Sequence, residues 1–190
     1  MMTGKKLNRS IGKVGKTLPA AIFAIFMALT PLFPMDGGTR TLSGDRRLSL
    51  YVLNNRERIE IDYCLDGVYV PVALSMIDRL LRDPLNGGVK SIDPKLLDLL
   101  YELHAKVGAT GPFTVVCGYR SPQTNAALRA HNPAVAEYSL HMEGKAVDIQ
   151  LPGVPLQTLY KAALDMKAGG VGYYPRSGFI HVDVGPVRTW

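Results

Sequence analysis

Three short segments hold residue types that can do chemistry together. The first is Ser139-Leu140-His141-Met142-Glu143-Gly144-Lys145-Ala146-Val147-Asp148. Val147, Ile149 and Leu151 alternate as the inward row of a strand, which puts Asp148 on the opposite face with Ala146 and Gln150. A carboxylate in mid-strand is disfavoured unless something compensates it. His141 sits just before that strand, and Gly144 lets the chain turn between the two. The second segment is Phe179-Ile180-His181-Val182-Asp183-Val184. Ile180, Val182 and Val184 form one face, and Phe179, His181 and Asp183 form the other, so His181 and Asp183 project side by side. The third is Gly118-Tyr119-Arg120-Ser121, where Arg120 offers a permanent charge and a fixed fork of donors.

Two imidazoles and one carboxylate can hold Zn²⁺ in three positions and leave the fourth to water. Neutral histidines and a single aspartate keep a net positive charge there, which lowers the pKa of the bound water. A further carboxylate can take the proton of that water, and Asp183 is the candidate by strand geometry. Arg120 can grip a substrate carboxylate or a developing oxyanion. Tyr119 and Ser139, beside Arg120 and His141, complete the expected substrate-binding set. Spacing alone leaves a metal-free His181–Asp183 pair equally open. His104, on a helix, and His131, in a polar loop, have no partners in view and read as structural or solvated.

These segments need strands and helices to hold them. Residues 48–54 and 56–62 read as two strands, with Leu48, Leu50 and Val52 on one side and a turn at Asn54-Asn55. Asp66-Gly67 marks another turn. Pro71 opens a helix on which Val72, Met76, Leu80 and Leu81 fall at helical spacing, ended by Asp83-Pro84 and Asn86-Gly87-Gly88. Asp93 is an N-cap with Pro94 at the first helical position, and Gly108 closes that amphipathic helix. Residues 113–119 read as a buried strand, and Ser121-Pro122 opens a further helix. Residues 155–167 are helical, 169–173 a short strand and 178–184 the last strand. Helices and strands mix without regular alternation, which predicts an α+β fold with a central, mostly antiparallel sheet flanked by helices.

Composition divides the chain unevenly. The formal net charge is +6, but Lys5, Lys6, Arg9, Lys13 and Lys16 precede the first acid, Asp36, and subtracting those five leaves +1. The remainder is thus near neutral, which gives no reason to expect a nucleic-acid partner. The basic stretch leads into the uncharged segment 18–35, whose apolar core is residues 20–29. That core is shorter than the roughly 20 residues of a spanning helix, so residues 1–35 read as an export signal, with a retained N-terminal membrane anchor as the alternative. Residues 36–46 read as a linker and 47–190 as one domain, expected to be monomeric and to meet a membrane only through the N-terminal segment. Cys64 and Cys117 form no disulfide framework, and Cys117 in its apolar run reads as a buried free thiol.

The pattern Ser139-x-His141-x-x-Gly144-x-Ala146-x-Asp148 with a distant His181 resembles the zinc motif of the D-Ala-D-Ala metallopeptidase superfamily, which includes lysostaphin-like and hedgehog-type domains. Gly118-Tyr119-Arg120-Ser121-Pro122, Gly170-Val171-Gly172-Tyr173-Tyr174-Pro175 and Gly178-Phe179-Ile180-His181-Val182-Asp183 resemble one branch, the murein endopeptidase K (YcbK-like) type. The resemblance implies a hedgehog-like fold and zinc held by His141, Asp148 and His181. It also implies Arg120 in the substrate cleft, and hydrolysis of peptide cross-links in peptidoglycan in the periplasm or cell envelope. Many relatives carry an acidic base three residues before the last zinc histidine, where this chain has Gly178. The base is then expected to be Asp183 first and Glu143 second. A carboxypeptidase that trims stem peptides, and a non-catalytic wall-binding domain that keeps the metal, are the alternatives.

Overall fold

The computed structural model describes residues 44–133 and 135–190. The expected export segment and nearly all of the expected linker lie outside them. Eight strands appear among the described residues: β1 (Arg46–Val52), β2 (Glu57–Leu65), β3 (Val68–Tyr69), β4 (Phe113–Cys117), β5 (Ala146–Gln150), β6 (Gly170–Tyr174), β7 (Phe179–Asp183) and β8 (Arg188–Thr189). The helices are α1 (Pro71–Leu80), α2 (Pro94–Val107), α3 (Pro122–His131) and α4 (Leu156–Met166), with a 3₁₀ turn at Leu140–Glu143. The strands form one sheet in the order β3-β2-β1-β4-β5-β7-β6-β8. Only β1–β4 and β6–β8 are parallel pairs, so the sheet is mostly antiparallel and the fold is α+β as the sequence implied. Among the described residues no helix is long and apolar enough to cross a membrane.

The core follows from strand periodicity. Leu48, Leu50 and Val52 are all buried, as are Val147, Ile149 and Leu151. Helix α2 lies against β1 and α4 against β6 and β7, and α2 alone buries Leu96, Leu97, Leu99, Leu100 and Leu103. Each such leucine contributes about 1.5–3 kcal/mol on leaving water. Caps set the helix ends: the Asp93 carboxylate accepts from Lys95 N, Gly108 ends α2 in the left-handed region, and Ser121 caps α3 by accepting from Thr124 N.

Two sequence expectations change. Helix α1 buries Ala73, Ile77 and Leu80, while Val72 and Met76 are 71% and 50% exposed. Both sets repeat at helical spacing, so the helix carries two apolar stripes, and only packing onto β2 chooses between them. Strand β1 also begins at Arg46, the last residue of the expected linker. Arg46 is buried, pairs with Asp98 on α2 and donates to Cys64 Sγ at 2.7 Å. The Tyr63 and Tyr69 hydroxyls donate to the same Asp98 carboxylate at 2.9 and 2.6 Å. Both cysteines are free, Cys64 buried and Cys117 only partly so, and they sit on strands separated by β1.

The loop after α1 fixes the backbone that carries Arg120. Leu81 O accepts from Tyr119 N at 2.8 Å, the buried Asp83 carboxylate accepts from Ser121 N at 2.8 Å and from Leu85 N at 2.9 Å, and Asn86 Nδ2 donates to Ser121 Oγ at 2.8 Å. Burial pushes the Asp83 carboxyl up, but the Thr124 and Ser121 hydroxyls and these N–H groups outweigh it and hold it below its ordinary value. Asp83→Asn places an amide NH₂ against one of those donors, so unfolding free energy at pH 7 is expected to fall by about 1–3 kcal/mol. Because the folded-state value is depressed, the stabilisation is present above the unfolded value of about 3.9 and is lost as pH falls through the folded one. Urea unfolding at pH 7 and at pH 3 checks this. An Asn variant as stable as the parent at pH 7 contradicts the anchoring role.

Candidate active site

A row of residues crosses the sheet in register. Cys117 on β4 stands opposite Asp148 on β5, Asp148 stands opposite His181 on β7, and His181 stands opposite Gly172 on β6. A register shift between Val115 and Cys117 adds a residue to β4 beside this row, the kind of bulge that re-aims side chains near sites. His141 joins from the 3₁₀ turn. Gly144 ends that turn at φ +70°, a conformation open to glycine, and Ser139 Oγ accepts from His141 N at 3.4 Å at its start. Arg120 N donates to His141 O at 3.2 Å, which ties the turn to the segment after β4.

His141, Asp148 and His181 line a cleft of about 330 Å³ and are almost wholly buried in it. His141 Nε2 lies 3.2 Å from His181 Nδ1 and 3.3 Å from Asp148 Oδ1, and His181 Nδ1 lies 2.9 Å from Asp148 Oδ1. The far side of each ring settles its tautomer. His141 Nδ1 is 2.8 Å from the carbonyl of Gly118, an acceptor only, so Nδ1 carries the proton and Nε2 presents a lone pair. His181 Nε2 is 3.0 Å from Asp183 Oδ2 and donates to it, so Nδ1 presents a lone pair. In their neutral forms the two rings therefore aim lone pairs at the same point as Asp148 Oδ1, a point that a proton on His141 or a cation can occupy. Their spacing is close to the roughly 3.3 Å edge of a tetrahedron with bonds of about 2.0–2.1 Å. The donor set fits a divalent cation.

Electrostatics agrees. Burial alone raises the Asp148 carboxyl, but His141 and His181 hold it well below the usual carboxylate range. Burial alone lowers His141, yet Asp148 and Cys117 pull it up to about 10. The floor of the cleft thus attracts positive charge, and protons compete with a metal there. Cys117 Sγ also groups with His141 and Asp148, all ligand atoms within 4.8 Å. His181 lies 3.2 and 2.9 Å from these two partners and lines the cleft, which Cys117 does not, so His181 is the third donor that faces the open space.

Asp183 departs from the expectation that it accepts the proton of an attacking water. It is fully buried and does not line the cleft. Its Oδ1 accepts from Gly170 N at 3.0 Å and Gly185 N at 2.8 Å, and Arg188 donates to both oxygens at 3.1 and 2.7 Å. Burial pushes this carboxyl up, but His181, Arg188 and the two N–H groups outweigh it and keep it ionised. A group held in this way is placed to orient His181 through the 3.0 Å contact to its Nε2, rather than to reach the open cleft. Glu143 faces outward and pairs with Lys145 at 2.7 Å. Among the described residues, Asp148 is the one carboxylate in the cleft lining.

Arg120 and Ser139 line the cleft as expected, whereas Tyr119 is buried in the core and does not. Strand β4 ends at Cys117, so the period of two does not extend to Tyr119, whose placement is set by its backbone bond to Leu81 O. The Arg120 guanidinium reaches only Asn125 Oδ1 at 3.4 Å and Cys117 Sγ at 3.5 Å among the described residues. His104 binds Gly111 O at 2.8 Å and packs on Phe113, and His131 is exposed; neither is near the trio. Sequence reasoning gave no role to Cys117, Tyr138, Tyr174, Arg188 and Trp190, all but the first of which line the cleft. Tyr174 stands opposite Phe179 in register, a signal that strand pairing could have exposed. Trp190 carried none, because only the placement of β8 brings it there.

Two imidazoles and a carboxylate in an open cleft on a mostly antiparallel α+β sheet define a hydrolase-type centre able to bind a divalent metal. A family model described as peptidoglycan L,D-endopeptidase MepK matches residues 40–190. The chain belongs to this peptidase family. It is 40% identical over 176 residues to peptidoglycan L,D-endopeptidase MepK of Escherichia coli K12, covering 93% of this chain and 92% of that protein. The Shigella flexneri protein of the same name gives the same figures. The probable peptidoglycan L,D-endopeptidase MepK of Haemophilus influenzae is 41% identical over 146 residues, covering 76% and 78%.

Proposed function

We propose that the chain is an exported zinc-dependent endopeptidase that hydrolyses L,D-peptide cross-links between peptidoglycan stem peptides. The observation that carries the reading is the convergence of three ligand atoms, His141 Nε2, Asp148 Oδ1 and His181 Nδ1, within 3.3 Å of one another at the floor of the cleft. Zinc held there supplies Lewis acidity and a water that ionises near neutral pH. His141 is locked by Gly118 O and His181 by Asp183, so both rings stand ready without reorganisation. Arg120 has no carboxylate partner among the described residues and can bind a stem-peptide carboxylate or the oxyanion of the scissile carbonyl. The named activity of the relatives supports peptidoglycan as substrate, and with it action outside the cytoplasm with residues 1–35 as the export signal.

The test is digestion of purified cross-linked murein, with products identified by mass, with and without a zinc chelator. Loss of cross-linked dimers that the chelator abolishes is the expected outcome. Release of single terminal amino acids identifies a carboxypeptidase instead. Intact murein after treatment with folded, metal-loaded protein rules out hydrolysis of this substrate.

A further inference from the structure

One wall of the cleft is built from Tyr174, Phe179 and Trp190, with Gly172 of β6 packed behind the Trp190 ring. Trp190 follows β8 and lies over the Gly172–His181 pair, its ring centroid 5.1 Å from that of His181. A Cβ on Gly172 would stand 2.7 Å from Trp190 Cε2, 2.8 Å from Trp190 Nε1 and 2.9 Å from Tyr174 Cε2. Only a bare backbone at that position leaves room for the ring. Tyr174 stacks on Phe179 at 4.8 Å between centroids, and Trp190 Nε1 donates to Tyr174 Oη at 2.7 Å.

That last bond has a fixed direction. An indole N–H is a donor only, so the Tyr174 oxygen accepts and the phenol keeps its own proton to give. No acceptor among the described residues takes it, and Tyr174 is about one-third exposed in the cleft. The neighbours have the same polarity. Arg120 lacks a carboxylate partner among the described residues, and the Arg188 guanidinium, already paired with buried Asp183, lies 5.0 Å over the Trp190 ring. Asp148 is the one carboxylate in the lining among the described residues, and Arg120 and Tyr174 both have donor capacity left, which suits an anion.

We propose that Tyr174, its hydroxyl oriented by Trp190, donates a hydrogen bond to a carboxylate of the bound stem peptide and selects for that carboxylate over its amide. Tyr174 is then a substrate-binding residue and Trp190 a positioning residue. The proposal rests on the peptide-hydrolase reading above but is tested by binding. Trp190 is the single tryptophan of the chain, so its fluorescence reports the site directly. The metal-loaded full chain is titrated with two uncross-linked stem tetrapeptides that differ only in a free carboxylate or a carboxamide on the diamino acid.

Tyr174→Phe is expected to weaken the carboxylate peptide about 10-fold, the scale of one charge-assisted hydrogen bond, and the carboxamide peptide less than about 2-fold. Equal weakening of both peptides, no weakening, or no binding of either by the parent protein overturns the proposal. If Tyr174→Phe does not fold, Trp190→Phe followed by calorimetry carries the same comparison, and an unchanged preference for the carboxylate overturns it. A protein that binds through Tyr174 yet leaves murein intact overturns the hydrolase reading alone.

Discussion

His181→Ala is expected to abolish murein hydrolysis while leaving the protein folded. His181 Nδ1 makes the shortest contact of the trio, 2.9 Å to Asp148, and alanine leaves His141 and Asp148, with Cys117 Sγ as the remaining nearby donor, which sits outside the cleft lining. A two-ligand site does not hold zinc against water and chelators, so bound metal should fall well below one per chain. Activity should drop on the order of 10³-fold or more, because hydroxide near neutral pH depends on lowering the water pKa from about 15.7 to about 7. The fold is expected to survive, since Asp183 keeps Arg188 and the N–H groups of Gly170 and Gly185 as partners. Metal analysis by mass spectrometry beside the murein digest reads both effects. A variant that retains stoichiometric zinc and the parent rate would sink the assignment.

Asp183→Asn separates the two roles that the sequence and the structure give this residue. Asp183 Oδ2 accepts the proton of His181 Nε2, with the carboxylate itself fixed by Arg188 and two backbone N–H groups. The amide cannot satisfy that many donors. With NH₂ turned to the ring, His181 must carry its proton on Nδ1, where it blocks the lone pair facing the cleft. Loss of such a supporting partner costs about 10–100-fold in metal affinity and activity together. A proton-accepting role predicts another pattern, in which activity falls and metal affinity stays at the parent level. Zinc affinity measured against a competing chelator decides between them, and parent-level affinity in the variant would return Asp183 to the role expected from sequence.

The shared face of Asp148 and His181 was legible because it is written in local periodicity, whereas His141, in a 3₁₀ turn, has no such pattern. Asp148 and His181 occupy strand positions that the apolar rows Val147/Ile149 and Ile180/Val182 force onto the opposite face. The caps at Asp93 and Ser121 were legible for the same reason, since each interacts within one helical turn. The α1 face was not, because its two apolar stripes are equivalent until β2 packs on one of them. The task of Asp183 was hidden as well. Sequence places it beside His181, but its exposure depends on Arg188 and on the loops at Gly170 and Gly185 closing over it.

The sequence by itself determined the α+β class, the helix caps and the strand face that Asp148 and His181 share, because period-two alternation and cap chemistry act over a few residues; His141 and Arg120 were assigned to the site by family resemblance. Tertiary structure alone decided which nitrogen of each histidine faces inward, that Asp183 is buried, that Tyr119 turns to the core and that Trp190 walls the cleft. Those properties depend on contacts between residues far apart in the chain, such as His141 with Gly118 and Trp190 with Gly172. Strand order and loop closure set such contacts, and no local pattern encodes them.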